Sequence, residues 1–225
     1  DVHFLGGNFD IWTSESMLIQ ATVARAFNVT DGFNGLVVLP NNPLTGETVQ
    51  APVVMRFTPS TNLGSINLAG ITVTKKINRL DFFGSFNYVG LRPNELTTPF
   101  GGMMSDPFET PQKRDGAMIY VGMRYNFGTE ERTKLGFEFN HGTKYWFNFA
   151  QAEDDIIAPK TNTRGEVYEA YLTHRINNRF IIKGDYMYYN YRFSGSGWHI
   201  GAPKRLTDVP ILGFPTYKTA QIFTL

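Results

Sequence analysis

Apolar and polar residues alternate along the middle of the chain. Every second residue of AMIYVGMRYNF, from Ala117 to Phe127, is apolar, whereas the residues between them are mostly polar. After a short charged turn the alternation resumes in KLGFEFN, residues 134–140. A period of two residues predicts β-strands, each with one apolar and one polar face.

The same alternation recurs along the whole chain, and no segment has apolar residues at helical spacing over a helical length. We therefore predict an all-β fold, arranged as an antiparallel up-and-down meander. The nine predicted strands lie at about 2–12, 17–27, 64–77, 80–92, 116–127, 134–147, 166–176, 180–193 and 217–225.

Short and long connectors alternate between these strands. Successive connectors of a meander lie at opposite ends of the sheet, so every long loop falls on one side. That asymmetry is typical of outer-membrane barrels, and most predicted strands reach the roughly 9–11 residues that a tilted strand needs to cross a bilayer. The pattern predicts a transmembrane β-barrel with extracellular loops at about 28–63, 93–115, 148–165 and 194–216.

Composition agrees with a strand-rich fold and excludes several other classes. Aromatic residues make up 15% of the 225 residues, and they suit a pleated, half-buried surface. A net charge of +1 gives no reason to expect nucleic acid as a partner. The chain has no Cys, which excludes disulfides and thiolate metal sites, and no stretch resembles a transmembrane helix.

The two ends of the chain suggest a piece of something larger. The sequence starts without an initiator Met or a signal peptide, and it ends in Phe-Thr-Leu rather than in an aromatic residue. Nine strands is also an odd number for a complete bacterial barrel. We expect residues 1–225 to be one β-barrel segment, truncated at both ends, from a barrel of more than 12 strands.

Strand faces and turns predict which residues line the lumen. A two-residue turn at 78–79 would pair Lys76 with Asp81, and pairing Phe127 with Leu135 would set Arg124 opposite Glu138. These inward charges either filter solutes or form cross-strand pairs that keep the interior hydrated. The predicted pore-lining residues are Lys76, Asp81, Tyr120, Arg124, Glu138, Glu169, Arg175, Lys183 and Asp185.

Aromatic residues near the strand ends predict two membrane interfaces. Girdles of aromatic side chains are expected at both interfaces of such barrels, although general strand propensity would also place tyrosines here. The predicted interfacial aromatics are Tyr125, Phe127, Tyr145, Trp146, Phe147, Tyr186 and Tyr188.

Catalytic and cofactor motifs are not evident. The four histidines lie on different predicted strands and loops, and the sequence contains no HExxH, GxSxG or Gly-rich phosphate loop. We therefore predict no enzyme activity, no cofactor and no metal site.

Four stretches resemble a known family. They are KLGFEFNHGTKYWFNF at 134–149, the dipeptide DD at 154–155, TRGEVYEAYL at 163–172 and YMYYNYRFSGSGWHIGAPK at 186–204. They are similar to uncharacterised porin-like outer-membrane proteins of Gram-negative bacteria, a domain of unknown function, most clearly over residues 116–204. The resemblance implies an outer-membrane β-barrel with a porin role, but no substrate and no catalytic residues.

The expected function is a passive channel for small hydrophilic solutes in the bacterial outer membrane, with membrane lipid as a partner and a homo-oligomer left open. One alternative is a structural outer-membrane barrel that binds a partner or surface ligand without conducting. Another is a soluble β-sandwich that binds carbohydrate through Trp198 and the tyrosines.

Overall fold

The computed structural model describes residues 2–30, 35–41, 48–57, 62–95, 102–106, 109–149, 159–195, 201–207 and 217–225. Within these ranges the chain forms strands and one turn of 3₁₀ helix at Lys160–Asn162. The strands are β1 (His3–Ser14), β2 (Met17–Thr30), β3 (Gly35–Asn41), β4 (Thr48–Phe57), β5 (Asn62–Ile77), β6 (Leu80–Pro93), β7 (Arg114–Phe127), β8 (Thr133–Gly142), β9 (Gly165–Arg175), β10 (Ile181–Tyr191) and β11 (Thr219–Thr224). In the described part of the chain, no helix is long and apolar enough to cross a membrane.

Nine of the strands form one antiparallel sheet in the order β1-β2-β5-β6-β7-β8-β9-β10-β11. These are the nine predicted strands, and they follow one another as the predicted meander. β3 and β4 form a separate two-stranded sheet inside the predicted 28–63 loop. The sequence analysis did not predict this hairpin.

The nine-stranded sheet is open. β1 and β11 are its two edges, and they do not pair with each other in the described structure. The meander is therefore confirmed, whereas its closure into a barrel remains a prediction. Long connectors join β2 to β5, β6 to β7, β8 to β9 and β10 to β11, so all lie at one end, called the loop end here. The opposite end, with the short connectors, is the turn end.

The short turns set the register largely as predicted. Asn78 begins the β5–β6 turn with a φ of 53°, a left-handed conformation that Asn tolerates. The turn pairs Lys76 with Asp81, as predicted. At the next hairpin the prediction was wrong, because β8 begins at Thr133 and pairs it with Phe127. Arg124 therefore lies opposite Gly136 rather than Glu138.

Register divides the sheet into two unlike faces. The outer face carries large apolar side chains that are each about 40–50% exposed. The inner face carries Asp81, Arg124, Glu138 and Glu169, in alternation with these apolar residues, whereas Lys75, Arg92, Asp115 and Glu166 lie on the outer face nearer the strand ends. Members of the outer face include Ile71, Phe86, Ile119, Val121, Met123, Phe137, Tyr168 and Leu172.

At the loop end the inner face is covered by the connectors. Ile66, Val89 and Met118 of the sheet are buried together with Met104 of the β6–β7 connector and Trp146 of the β8–β9 connector. Burial of these side chains supplies a hydrophobic core at one end of an otherwise open sheet. Two of the long loops are therefore partly folded against the sheet.

Two glycines let the β8–β9 connector approach the inner face. A Cβ on Gly116 would lie 2.3 Å from the carbonyl oxygen of Tyr145. A Cβ on Gly142 would lie 2.2 Å from the carbonyl oxygen of Thr163. Because both obstacles are backbone atoms, no side-chain rotation can relieve the overlap.

Gly142→Ala is expected to lower the free energy of unfolding by about 1–3 kcal/mol, because the connector must move off the sheet. The measurement is urea-induced unfolding followed by tryptophan fluorescence. Gly84→Ala is the matched control, since a Cβ there meets only Val121, at 3.8 Å. An equal loss in the two variants would contradict close packing of the connector.

Candidate functional site

The nine predicted pore-lining residues share the inner face. Register connects Lys76 to Asp81, Asp81 to Arg124, and then through Gly136 and Tyr171 to Asp185. The row beside it holds Glu138 and Glu169. Tyr120 lies in the next row, and Arg175 continues the inner face of β9 toward the turn end. The strand register places all nine residues on one face, while their role in lining a pore remains a prediction.

Asp81 is the acceptor in the first polar group of this face. The guanidinium of Arg124 donates from Nη2 and Nε to Asp81 Oδ2, at 2.8 and 3.2 Å. Asn126 also donates from Nδ2 to the same oxygen at 2.9 Å and to the carbonyl oxygen of Arg79 at 3.1 Å. Arg124 is thus paired with Asp81 of β6 rather than with Glu138.

Glu138 and Glu169, the acid pair, lie directly opposite each other on β8 and β9. Like charges in this position destabilise a sheet unless a cation separates them. Lys160, from the 3₁₀ turn in the β8–β9 connector, supplies that cation. Its Nζ lies 2.5 Å from Glu138 Oε2 and also contacts Glu169 Oε2. Tyr120 donates its hydroxyl to the same oxygen of Glu138.

The electrostatics of Lys160 favour a permanent charge. Burial alone would lower the pKa of its ammonium group, but hydrogen bonds to Glu138 and Glu169 outweigh burial and raise the pKa well above its ordinary value. Lys160 therefore stays protonated at any physiological pH.

Lys183 makes a second bridge next to the first. Its Nζ lies 3.1 Å from Asp185 Oδ2 and 3.5 Å from Glu169 Oε1. The other oxygen of Asp185, Oδ1, is buried and accepts no hydrogen bond from the described residues. The polar network thus runs across β8, β9 and β10 with one buried acceptor left unsatisfied.

A cavity of about 500 Å³ extends from this network toward the turn end. Ser16 at the β1–β2 turn, Thr74 on β5 and Tyr171 on β9 all contribute to its lining, together with Arg124 and Glu138. Strands that are far apart in sheet order line one cavity, which means that the sheet is curved and its inner face is concave.

The predicted interfacial aromatics divide into two groups. Tyr125, Phe127, Tyr186 and Tyr188 lie on the outer face by register. Trp146 and Phe147 do not, because β8 ends at Gly142 and the chain turns inward. Both are buried in the loop-end core, with Tyr145 packed against it. Burial keeps Trp146 and Phe147 away from the outer face, whereas an interfacial position of Tyr145, which is only partly buried, stays a prediction.

Arg164 ties the loop-end connectors together. It is 3% exposed, and it donates from Nε to the carbonyl oxygen of Trp146 at 2.8 Å and from Nη1 to that of Ser194 at 2.9 Å. Its Nη2 contacts Met104 Sδ at 3.8 Å. Burial lowers the pKa of Arg164 to about 10, so the buried guanidinium is still charged at neutral pH. One side chain therefore contacts three connectors.

Asp106 makes a second tie between connectors. It accepts a hydrogen bond from the backbone N–H of Ala202 at 3.0 Å and pairs with Lys204. Burial would raise the pKa of Asp106, but the contacts with Lys204 and Ala202 outweigh it and lower the pKa below its ordinary value. The β6–β7 and β10–β11 connectors are thus linked at neutral pH.

Sequence reasoning missed Lys160 and Arg164, since both lie in the predicted 148–165 loop. A usable signal existed for Lys160. With the correct register, Glu138 faces Glu169, and such a pair requires a cation from elsewhere in the chain. The wrong pairing of Glu138 with Arg124 concealed that requirement. No comparable signal marks Arg164.

Comparison with known proteins identifies the family. Residues 1–223 match the family described as "Protein of unknown function (DUF3373)", and the chain belongs to that family. No curated protein matches the chain significantly. No solved structure matches it significantly either. Among the described residues, no group of three or more acidic or His side chains is placed to hold a metal ion.

Arg164→Ala is expected to cost about 2–4 kcal/mol in unfolding free energy, because it leaves the buried carbonyl oxygen of Trp146 and the partly buried one of Ser194 without a charged donor. Arg164→Lys keeps the charge without the planar fork, so its loss should be intermediate. Chemical denaturation of both variants provides the measurement. Arg25→Ala is the control, since Arg25 donates to Ser65 at an exposed site. Equal losses for Arg25 and Arg164 would contradict the role of Arg164.

Proposed function

We propose that this chain forms part of a transmembrane β-barrel in the bacterial outer membrane, and that the barrel is a passive channel for small hydrophilic solutes. The observation that carries the proposal is the outer face. Phe86, Ile119, Phe137 and Leu172 are each 45–50% exposed, although they lie on central strands of the sheet. Apolar patches of this extent on a protein surface mark contact with another apolar phase. Lipid would be that phase here.

Strand length supports the same proposal. Eight of the nine strands in the sheet have 10–16 residues, whereas β11 has six. Crossing a bilayer requires roughly 9–11 residues for a tilted strand, and strands of globular proteins cluster near 5 or 6. The long connectors at the loop end would then face the outside of the cell, and the short turns the periplasm.

The inner face supports a hydrated interior. Most of its predicted pore-lining charges are in ion pairs, but Lys76 and Lys183 keep about half of their side-chain surface exposed. Polar interiors of this kind occur in barrels that hold water. Solutes would diffuse through such a lumen and would be filtered by its width and by these charges. The connectors packed against the inner face at the loop end would form the narrowest level.

A barrel that does not conduct is the second candidate. The packing of Met104, Trp146 and Phe147 against the sheet favours it, because the same contacts that narrow a lumen could close it. Conductance across a planar bilayer distinguishes the two functions. A channel gives steady current, while a closed scaffold gives none.

The soluble carbohydrate-binding sandwich has less support. A sandwich would cover the outer face with a second sheet. In the described ranges, the two-stranded sheet β3–β4 is the only other sheet, and it is too small to cover nine strands. Trp198, the residue predicted to contact sugar, lies outside the described residues. No catalytic role is proposed for any residue.

Lys76→Glu in the full-length protein is expected to shift ion preference toward cations, because it reverses a charge on the inner face. A roughly twofold change in the ratio of K⁺ to Cl⁻ permeability is expected for one charge at a hydrated wall. The measurement is the reversal potential of a planar bilayer under a KCl gradient.

Lys75→Glu is the matched control, since Lys75 is the neighbour of Lys76 on the same strand but lies on the outer face. It should leave the permeability ratio unchanged. The channel proposal fails if the wild-type protein gives no current. The assignment of faces fails if the two variants shift the ratio equally.

A further inference from the structure

The acid pair has the chemistry of a binding site for an ammonium group. The side chains of Glu138 and Glu169 are 12% and 5% exposed. Each directs one oxygen, Oε2, to the same point above the inner face, where Lys160 Nζ lies. An alkylammonium ion has three donors and no acceptor, so two converging carboxylates satisfy most of its hydrogen bonds.

An aromatic ring completes the site on its third side. Lys160 Nζ lies 5.1 Å from the ring centroid of Tyr120, within the range of a cation–π contact. The hydroxyl of Tyr120 is held by Glu138, which fixes the ring in place. Two carboxylates and an aromatic face are a combination that selects a compact organic cation.

The same combination recurs on the neighbouring strands. Lys183 Nζ lies 5.0 Å from the ring centroid of Tyr171 and contacts Asp185 and Glu169. Three carboxylates therefore share two ammonium groups. Asp185 is 8% exposed, and its Oδ1 is buried without a donor in the described structure. This oxygen is a further acceptor of the network that no described donor satisfies.

Lys160 is the occupant that can be exchanged. It does not belong to the sheet, because it is carried by a single 3₁₀ turn of the β8–β9 connector. Glu138, Glu169 and Tyr120 belong to three adjacent strands, whose backbone pairing does not involve Lys160. The receptor is thus rigid, whereas its ligand is tethered. A tethered ligand competes with free ligand at an effective concentration of order millimolar.

We propose that Glu138, Glu169 and Tyr120 form a binding site for primary ammonium groups, that Lys160 occupies it in this structure, and that small organic amines compete with Lys160 for it. As a statement about transport, the inference rests on the proposed channel, whose solutes would then be cations that carry a primary ammonium group. Binding itself does not depend on conduction.

Chemical rescue of Lys160→Ala by n-butylammonium chloride tests the site in the full-length protein in detergent. The variant should unfold at a lower temperature than wild type, because the acid pair loses its cation. Butylammonium reproduces the end of the lysine side chain. At about ten times its dissociation constant it should raise the Tm of the variant by roughly 3–6 °C. Wild type should gain much less, since its site is occupied.

Three controls separate the site from general salt effects. Tetramethylammonium has no N–H donor and should not rescue Lys160→Ala. Lys204→Ala removes a different contact between a loop lysine and a carboxylate, that with Asp106, and butylammonium should not rescue it. Adding Glu169→Gln to Lys160→Ala should abolish the rescue. If Lys160→Ala does not fold, the refolding yields with butylammonium and with tetramethylammonium replace the Tm.

The inference is overturned if butylammonium stabilises Lys160→Ala no more than tetramethylammonium does, or if it stabilises Lys204→Ala equally. The thermal assay requires no current. Rescue in a protein that does not conduct would leave the ammonium site intact and refute the channel. Current without rescue would support the channel and refute the site.

Discussion

Side chains of a β-strand point alternately to the two faces of its sheet, and the rest of this structure depends on how the strands keep that alternation in step. The turn at Asn78 pairs Lys76 with Asp81, and from that pair the register continues through Arg124 to Asp185. A slip of one residue at any hairpin would place charged residues among Ile119 and its apolar neighbours. The register therefore keeps Ile119 and its apolar neighbours on the face opposite to Asp81, Arg124 and Glu138.

Long connectors modify the inner face without disturbing this register. The β8–β9 connector approaches the sheet over Gly116 and Gly142, and Arg164 holds it to two other connectors. It also carries Lys160 to the acid pair, where the repulsion between two opposed carboxylates becomes an attraction for one ammonium group. The connector thus stabilises the sheet at the position where Glu138 and Glu169 of the sheet would otherwise repel each other.

The sequence predicted the strands and their faces because a period of two is visible locally. Where it failed, contacts between distant residues decide the structure. In the sequence, the alternation of β8 continues through Trp146. In the structure, the chain turns inward after Gly142, because Trp146 is buried in the same core as Met104. That Gly122 rather than Arg124 lies opposite Glu138 depends on the length of the β7–β8 turn, which composition leaves free. Lys160 and Arg164 lie in connectors, where periodicity carries no information about partners.

Cysteine labelling of the full-length protein in outer membranes tests the central claim, that the outer face contacts lipid and the inner face contacts water. The chain has no native Cys, so single substitutions can be read directly. Ile71, Met123 and Leu172 are 41–49% exposed on the outer face, and Lys76 and Lys183 are similarly exposed on the inner face. Exposure alone therefore predicts equal labelling.

A charged, water-soluble thiol reagent should label cysteines at 76 and 183 but not at 71, 123 and 172, and all five should react after denaturation. Labelling at 71, 123 and 172 in intact membranes would show that water reaches the outer face. That result would contradict the transmembrane barrel and the channel proposed from it.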